Sequence, residues 1–402
     1  MPHAIVPRAS RETASPELPR RRVRMAATLS PGSLATVGAM RLAITCGYAG
    51  MGLDRDTLEL VQVAEQLGYA QAWVAEAYGS DAPTVLAWLA AQTSTIGLGA
   101  GVMQIPARTP AMTAMTAATL DTLSGGRFHL GLGVSGPQVS EGWHGVRFAA
   151  PLARTREYVD IVRMALRREQ VRYAGEHFTL PLPDGPGKAL RLTIRPQRAD
   201  LPLYLAAVGP RNLRLAGEVA DGWLAIFLSP EHCADQVDAV RAGRVAAGAG
   251  EGADPMAGFD VVATVPVVVT DDLEVGRAAV ASYTALYVGG MGSRTQNFYN
   301  SLVRRMGFAD VADEVQALYL EGRARDAAAA VPFELVDATA LVGPPERIAQ
   351  RIGRYAAAGV TTLSVAPFAL TTVDRARVLR TVAAALAASA DRPAAPSGPE
   401  TP

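Results

Sequence analysis

The sequence has few lysines and cysteines, and its net charge is zero. Of the 38 basic residues only Lys188 is a lysine, so no second amine is available for Schiff-base chemistry. The two cysteines, Cys46 and Cys233, lie far apart, which excludes a disulfide framework and a thiolate zinc site. The 38 basic residues balance 38 acidic ones, which leaves no overall field to attract nucleic acid or an anionic membrane. The longest apolar runs, such as 261–270, are too short to span a bilayer.

The sequence does have a large apolar fraction. Residues of the types AVILMFWYC make up 49% of the 402 residues, which is enough for a large core and excludes global disorder. Residues 1–39 are rich in Pro, Ser and Arg without periodicity, and they predict a disordered extension or a stretch that precedes a true start at Met40. An export signal is the alternative there, but Ser30–Ser33 interrupts its apolar part, so we expect a cytoplasmic protein. We expect one domain over 40–388 and a disordered tail over 389–402.

From Met40 onward, short β-like runs alternate with helical segments. Eight such runs, each followed by a helix, predict a parallel sheet closed into a (β/α)8 TIM barrel. The predicted strands are 42–46, 72–75, 96–102, 128–133, 203–207, 222–227, 261–269 and 361–365. An open doubly wound sheet is the alternative. It needs a phosphate-binding glycine turn after the first strand, and the cluster Gly47–Gly52 fits that turn only in part.

Two segments interrupt this alternation. Residues 171–202 carry turn-rich sequences between short β-like pieces, and they predict a β-hairpin insertion. Residues 291–331 predict a helical insertion. Long insertions in a barrel usually lie on its catalytic face. The helical insertion also carries large apolar residues at helical spacing, which favours core packing over a lid for an apolar substrate. These residues are Phe298, Tyr299, Met306 and Phe308.

Candidate catalytic residues follow the predicted strands, because the active site of such a barrel lies at the C-terminal strand ends. Glu76, after the second strand, is the best-placed carboxylate, with Tyr78 close behind it; a structural ion pair is the alternative role for Glu76. His144, in the loop after the fourth strand, is a candidate proton donor, although a lone histidine is often structural. Residues 208–212 open a helix, where free N–H groups and Arg211 form a candidate phosphate site; the alternative is an ordinary strand–helix turn.

Motifs of several other enzyme classes are missing from the sequence. No set of His, Asp and Glu residues has the spacing of metal ligands, so we expect no metal site. Neither a Gly-x-Ser-x-Gly elbow nor a Gly-x-x-x-x-Gly-Lys-Ser/Thr loop occurs. Serine hydrolases and P-loop nucleotidases are therefore disfavoured.

Four segments carry a resemblance to a known family: 67–77, 104–110, 119–133 and 215–222. The third runs from leucine through "SGGR" into "LGLG", a combination specific to one superfamily. By these segments the chain resembles the bacterial-luciferase-like oxidoreductases over about residues 40–388, and most of all their coenzyme F420-dependent branch.

The resemblance implies a (β/α)8 barrel with the cofactor ring lying across its mouth. It places Glu76 against the deazaflavin, a non-proline cis peptide at Gly101–Val102 behind the ring, and the cofactor phosphate at Val208–Gly209. Further residues that it assigns to the cofactor site are Gln104, Ser135, Gly136, Ala207, Pro210 and Arg211.

Two positions depart from the deazaflavin sugar-phosphate dehydrogenases of that family. Residues 135–137 contain no acid where those enzymes carry a glutamate, and Ala77 stands where they carry a histidine. A glucose-6-phosphate-type activity is therefore not expected.

The resemblance implies hydride transfer between C5 of coenzyme F420 and a small organic substrate, with Glu76, Tyr78 or His144 handling the proton. An FMN-dependent monooxygenase of the same fold is the first alternative, and a barrel that binds a cofactor without catalysis is the second. We expect a homodimer, as among the relatives, without a nucleic-acid or membrane partner.

Overall fold

A computed structural model describes residues 40–47 and 54–390 of the chain. The predicted extension 1–39, most of the glycine cluster 47–52 and residues 391–402 lie outside the described residues. Expectations for those segments stay predictions.

The strands of the described chain form one large sheet and a small hairpin. They are β1 (Arg41–Cys46), β2 (Gln71–Val74), β3 (Gly97–Ala100), β4 (Met103–Gln104), β5 (Phe128–Gly133), β6 (Tyr173–Ala174), β7 (Thr179–Leu180), β8 (Leu203–Ala206), β9 (Gly222–Ile226), β10 (Asp260–Val269), β11 (Leu341–Gly343) and β12 (Thr362–Pro367). Among them, eight parallel strands close in the order β1, β2, β3, β5, β8, β9, β10, β12, and β12 pairs back with β1. The predicted (β/α)8 barrel is confirmed.

Helices follow the barrel strands and form the outer layer. They are α1 (Asp54–Gln66), α2 (Ala82–Gln92), α3 (Pro110–Leu123), α4 (Pro137–Ser140), α5 (Pro151–Leu166), α6 (Pro210–Val219), α7 (Ala234–Ala246), α8 (Leu273–Ala285), α9 (Phe298–Arg305), α10 (Ala309–Leu320), α11 (Ala324–Ala329), α12 (Phe333–Thr339), α13 (Pro345–Ala357) and α14 (Thr372–Ala390). Within the described part of the chain, no helix is both long and apolar enough to cross a membrane.

The two insertions occur where the sequence predicts them, but the first is less regular. Only β6 and β7 pair within 171–202, and the rest of that segment is irregular. The helical insertion contains α9, α10 and α11. Met306 is buried, and Tyr299 and Phe308 pack against the cluster that contains it. Phe298, by contrast, is 41% exposed. Core packing therefore describes most of these residues.

Two strands of the sheet, β4 and β11, were not predicted from the sequence. Strand β4 pairs with β5, and β11 pairs alongside the end of β10, with Val267 opposite Leu341. Three residues are too few to display a strand period, and its pairing depends on the insertion that precedes it.

The "SGGR…LGLG" motif has a structural role in the barrel. A Cβ atom at Gly131 would overlap the carbonyl oxygen of Ala100, and one at Gly133 would lie 2.5 Å from a methyl carbon of Val102. Glycine is needed at both positions because β5 approaches the end of β3 this closely. Arg127 donates to the carbonyl oxygens of Ile96 at 2.7 Å and of Thr93 at 3.1 Å, which ties the end of α2 to the start of β5.

A polar cluster fills the interior at the N-terminal ends of the strands. Asp260 accepts hydrogen bonds from Tyr204 at 3.1 Å and Thr362 at 2.8 Å, and it pairs with Arg41 at 2.8 Å. His129 lies beside Tyr204 with ring centroids 5.8 Å apart, and its Nδ1 is buried without a hydrogen-bond partner. Burial, with some help from nearby arginine charge, lowers the pKa of His129 to about 4.

This pKa predicts that His129 makes folding sensitive to acid. Above about pH 6.5 the imidazole is neutral in both the folded and the unfolded chain and contributes nothing to pH dependence. Between about pH 6.5 and pH 4 only the unfolded chain binds the proton. The free energy of unfolding therefore falls by up to about 1.4 kcal/mol for each pH unit by which the pH is lowered. Urea denaturation at several pH values should show a shallower loss for His129→Gln in this window. Parallel pH curves for the two proteins would contradict the assignment.

Candidate active site

The predicted site residues lie at the C-terminal ends of four strands that are neighbours in the barrel. Glu76 comes two residues after β2, Gly101 directly after β3, Ser135 two residues after β5 and Ala207 directly after β8. Because these strands are adjacent in the order β2, β3, β5, β8, the four loops share one side of the barrel mouth.

Glu76 is held by a bidentate ion pair. Arg108 donates through Nη1 to Oε1 at 2.6 Å and through Nη2 to Oε2 at 3.0 Å. The backbone N–H of Gln104 donates to Oε1 at 3.3 Å and that of Ala82 to Oε2 at 3.0 Å. The Glu76 side chain is only 5% exposed. Four donors therefore occupy the two oxygens of Glu76, and its carboxylate is fully engaged within the site.

Arg108 joins a second carboxylate to this arrangement. It also pairs with Asp81, whose side chain caps the N-terminus of α2 by accepting from the N–H of Thr84. Burial works against the charge of Arg108. The hydrogen bonds and charges of Glu76 and Asp81 nevertheless hold the pKa of its guanidinium above the ordinary value. Arg108 is therefore a fixed cation between two anions.

Gln104 and Ser135 extend these contacts to the next loop. The Ser135 hydroxyl donates to Oε1 of Gln104 at 2.9 Å, and Nε2 of Gln104 donates to the carbonyl oxygen of Ala77 at 2.6 Å. We call Glu76, Arg108, Gln104 and Ser135 the mouth network. It connects the loops after β2, β4 and β5 through side-chain and backbone hydrogen bonds.

The backbone between β3 and β4 has the conformation that the resemblance implies. The peptide bond Gly101–Val102 is cis. Gly101 is exposed and its N–H donates to the carbonyl oxygen of Val74 at 2.8 Å, while Val102 is half-buried. Gly136 lies at the start of α4, next to Ser135 of the mouth network.

The candidate phosphate site is the start of α6. The helix begins at Pro210, which has no N–H. The N–H groups of Arg211 and Asn212 have no acceptor within the helix, because they lie in its first turn. A Cβ atom on Gly209 would meet nothing within 4 Å, so the backbone there is open to a ligand. Arg211 is exposed, and Ala207 is fixed by a 2.9 Å hydrogen bond from the indole of Trp223 to its carbonyl oxygen. Open N–H groups, a helix dipole and a guanidinium fit a phosphate.

His144 and Tyr78 are not hydrogen-bonded to the mouth network. Tyr78 is 63% exposed in the loop after β2. His144 is half-buried in the loop after α4, and its Nε2 is buried without a hydrogen-bond partner. Among the described residues, no hydrogen bond joins either side chain to the mouth network.

Fold and site together define an eight-stranded α/β barrel with polar groups and an anion-binding helix end gathered at one mouth, the arrangement of a barrel enzyme that holds a cofactor. The chain matches the luciferase-like monooxygenase family over residues 45–362 and belongs to that family. The family predicted from the sequence is thereby confirmed.

The relatives of this chain include oxidoreductases and reductases. A protein of Mycobacterium tuberculosis that carries the name of a coenzyme F420-dependent oxidoreductase is 46% identical over 331 residues, 81% of this chain and 94% of the relative. A 5,10-methylenetetrahydromethanopterin reductase of Archaeoglobus fulgidus is 30% identical over 307 residues, 75% of this chain and 86% of the relative. The solved structure of a coenzyme F420-dependent tetrahydromethanopterin reductase of Methanopyrus kandleri superposes with a TM-score of 0.73 at 25% identity, covering 86% of this chain and 97% of its own.

Arg108 is the residue of this site to which sequence reasoning gave no role. The sequence left an ion pair open as the alternative role of Glu76, and the structure contains that pair. Its partner comes from the loop after the neighbouring strand, 32 residues away, and no local spacing pointed to it. The one available signal was that a carboxylate at a buried strand end needs a cation.

We predict that Glu76→Gln lowers stability, because it leaves the largely buried Arg108 with one carboxylate in place of two. The free energy of unfolding should fall by about 2 kcal/mol. The double variant Glu76→Gln/Arg108→Gln should cost little more than either single change, and urea denaturation of all three measures the coupling. Additive losses would show that the pair does not act as a unit.

Proposed function

We propose that the protein is a coenzyme F420-dependent oxidoreductase that transfers a hydride between the deazaflavin and a small organic substrate. The observation that carries the proposal is the 46% identity, across 94% of its length, to a relative named for this activity. The structure supports it with a phosphate-compatible helix end and an ordered mouth on adjacent strands.

The residues present fit such a cofactor. In our proposal Val208, Gly209 and the N–H groups of Arg211 and Asn212 hold its phosphate, and the backbone at Gly101–Val102 with Ser135 lines its ring. Pro210, Gly136 and Ala207 shape the same loops. When bound, coenzyme F420 supplies or accepts the hydride at C5.

The chain's own contribution is positioning. Glu76 forms an ion pair with Arg108 and accepts a hydrogen bond from the backbone N–H of Gln104. The side chain of Gln104 in turn accepts a hydrogen bond from the Ser135 hydroxyl. A mouth held in this way keeps its geometry when a ligand arrives, which reduces the reorganisation that a reaction would otherwise need. We therefore assign Glu76 to positioning and leave proton handling to His144 or Tyr78.

His144 is the stronger of the two candidates, because its buried Nε2 has no other partner to occupy it. We expect His144→Gln to lower kcat by about 100-fold and to remove one limb of the pH–rate profile. Wild-type protein is first screened for an acceptor that it reduces. Turnover of that acceptor by each variant is then measured from the change in absorbance of the deazaflavin. Tyr78→Phe is the matched control and should keep both the rate and the profile. The reverse pattern would move the proton to Tyr78, and wild-type rates in both variants would remove both residues from the mechanism.

The cofactor assignment predicts selective binding. Titrations of oxidised coenzyme F420 and of FMN, followed by tryptophan fluorescence, should give micromolar binding of F420 and feeble binding of FMN. Preference for FMN would overturn the proposal and favour the monooxygenase alternative, for which oxygen uptake is the next assay.

Two variants at one position test the phosphate site itself. Gly209 precedes α6 in an extended conformation with open space beside it, so Asp or Ser can cap the helix there without a clash. Gly209→Asp places a carboxylate where the phosphate should lie and should weaken F420 binding by about tenfold or more. Gly209→Ser has the same cap without the charge, so it competes for the same N–H groups but adds no repulsion, and it should weaken binding clearly less than Gly209→Asp does.

We further propose that the protein is a homodimer. The outward faces of α2 and α3 expose Trp88, Met112, Met115 and Leu123, which are 40 to 59% exposed, and neither helix carries an exposed charge. The two helices pack side by side, and these residues lie on their exposed surfaces. Large apolar side chains exposed on two neighbouring helices fit a contact with a second copy.

Light scattering after size exclusion should give about twice the mass of one chain. Met112→Glu/Met115→Glu should give the monomer with the same circular dichroism. Val275→Glu changes an equally exposed apolar residue on α8 and should leave the dimer intact. A wild-type monomer would reject the proposal.

The substrate is a small molecule in our proposal, and the proposed location is the cytoplasm, where two distant cysteines without a disulfide framework are usual. Recovery of the native protein in a periplasmic or secreted fraction would contradict this location.

A further inference from the structure

A groove with a volume of about 180 Å³ lies between the first turns of α5 and the side of α6 that runs from Arg211 to Glu218. Arg156 of α5 and Arg211 and Arg214 of α6 line it, together with the apolar Leu152 and Leu215. We call this feature the arginine groove. Its volume is several times what one water molecule needs, so it can hold part of an extended ligand.

Positive charge exceeds negative charge in the arginine groove. Glu218 is the acidic residue that lines it, and Glu218 accepts hydrogen bonds from Arg156 and, at 3.3 Å, from Arg214. Arg211 is exposed, and no carboxylate of the described residues pairs with it. Three guanidinium groups against one carboxylate leave a local excess of two positive charges that a ligand with several carboxylates would neutralise.

The arginine groove continues from the proposed phosphate site. Arg211 follows Gly209 by two residues, so it belongs both to the start of α6 and to the groove. Arg211, Arg214 and Glu218 are three and four residues apart and therefore share one face of α6. A ligand whose phosphate lies at the start of α6 can thus extend its next anionic groups along this face.

We propose that the arginine groove binds the oligoglutamate tail of coenzyme F420, with Arg156 and Arg214 contacting its carboxylates. This inference rests on the proposed function, because the tail is attached to the cofactor beyond the phosphate. It assigns a role to residues that neither the barrel mouth nor the fold requires. The tail carboxylates displace part of the pairing of Glu218 with the two arginines.

The test compares two probes on the purified full-length protein. One is coenzyme F420 with several γ-linked glutamates, and the other is the same cofactor without any glutamate but with its phosphate. The wild-type protein should bind the tailed form more tightly. Arg156→Gln/Arg214→Gln should reduce this preference by about three- to tenfold and leave the Kd of the tail-less form unchanged. Arg241→Gln removes an equally exposed, ion-paired arginine on α7 and should change neither Kd.

Glu218→Gln provides an effect of the opposite sign. It removes the carboxylate that competes for Arg156 and Arg214, so the tailed form should bind about two- to threefold more tightly while the tail-less form is unaffected. Equal affinity of the wild-type protein for both forms would overturn this inference alone. Failure of both forms to bind would instead overturn the proposed function. A loss of tail preference in Glu218→Gln would show that the tail follows another path.

Discussion

The ion pair between Glu76 and Arg108 is the constraint on which the barrel mouth depends. It joins the loop after β2 to the loop after β4, and through the backbone of Gln104 it reaches Ser135 after β5. Together these contacts tie three loops that come from separate parts of the chain. A charge pair that is nearly buried on both sides is poorly suited to proton transfer, because either change of protonation would leave a buried charge unpaired.

The two ends of the barrel divide the work between stability and chemistry. Asp121 and Arg127, within the segment 119–133 that carries the resemblance, make hydrogen bonds at the N-terminal ends of the strands, and Asp260 accepts hydrogen bonds there as well. The open helix end at Gly209 and the mouth network lie at the C-terminal ends. This division explains why a motif can identify the family reliably and still say little about the reaction, since its residues maintain the scaffold.

Sequence reasoning predicted the elements whose signals are local and repeated. The eight barrel strands, the helical insertion and the loops that carry Glu76, Ser135 and Gly209 were accessible, because each follows from periodicity and strand order. It missed β11, whose three residues show no period, and gave no role to Arg108, whose partner is set by the neighbouring loop. It also left the environment of His144 open, since no pattern in one sequence reports whether a ring nitrogen finds a partner in a folded loop.

A crystal structure of the complex with oxidised coenzyme F420 would show whether the mouth network is a fixed scaffold beside which the chemistry takes place. We expect the phosphate on the N–H groups of Arg211 and Asn212, with the Glu76–Arg108 pair unbroken. A phosphate bound elsewhere would contradict this expectation. So would a Glu76 that leaves Arg108 to contact the reacting ring, because Glu76 would then be a catalytic residue and the ion pair only a resting state.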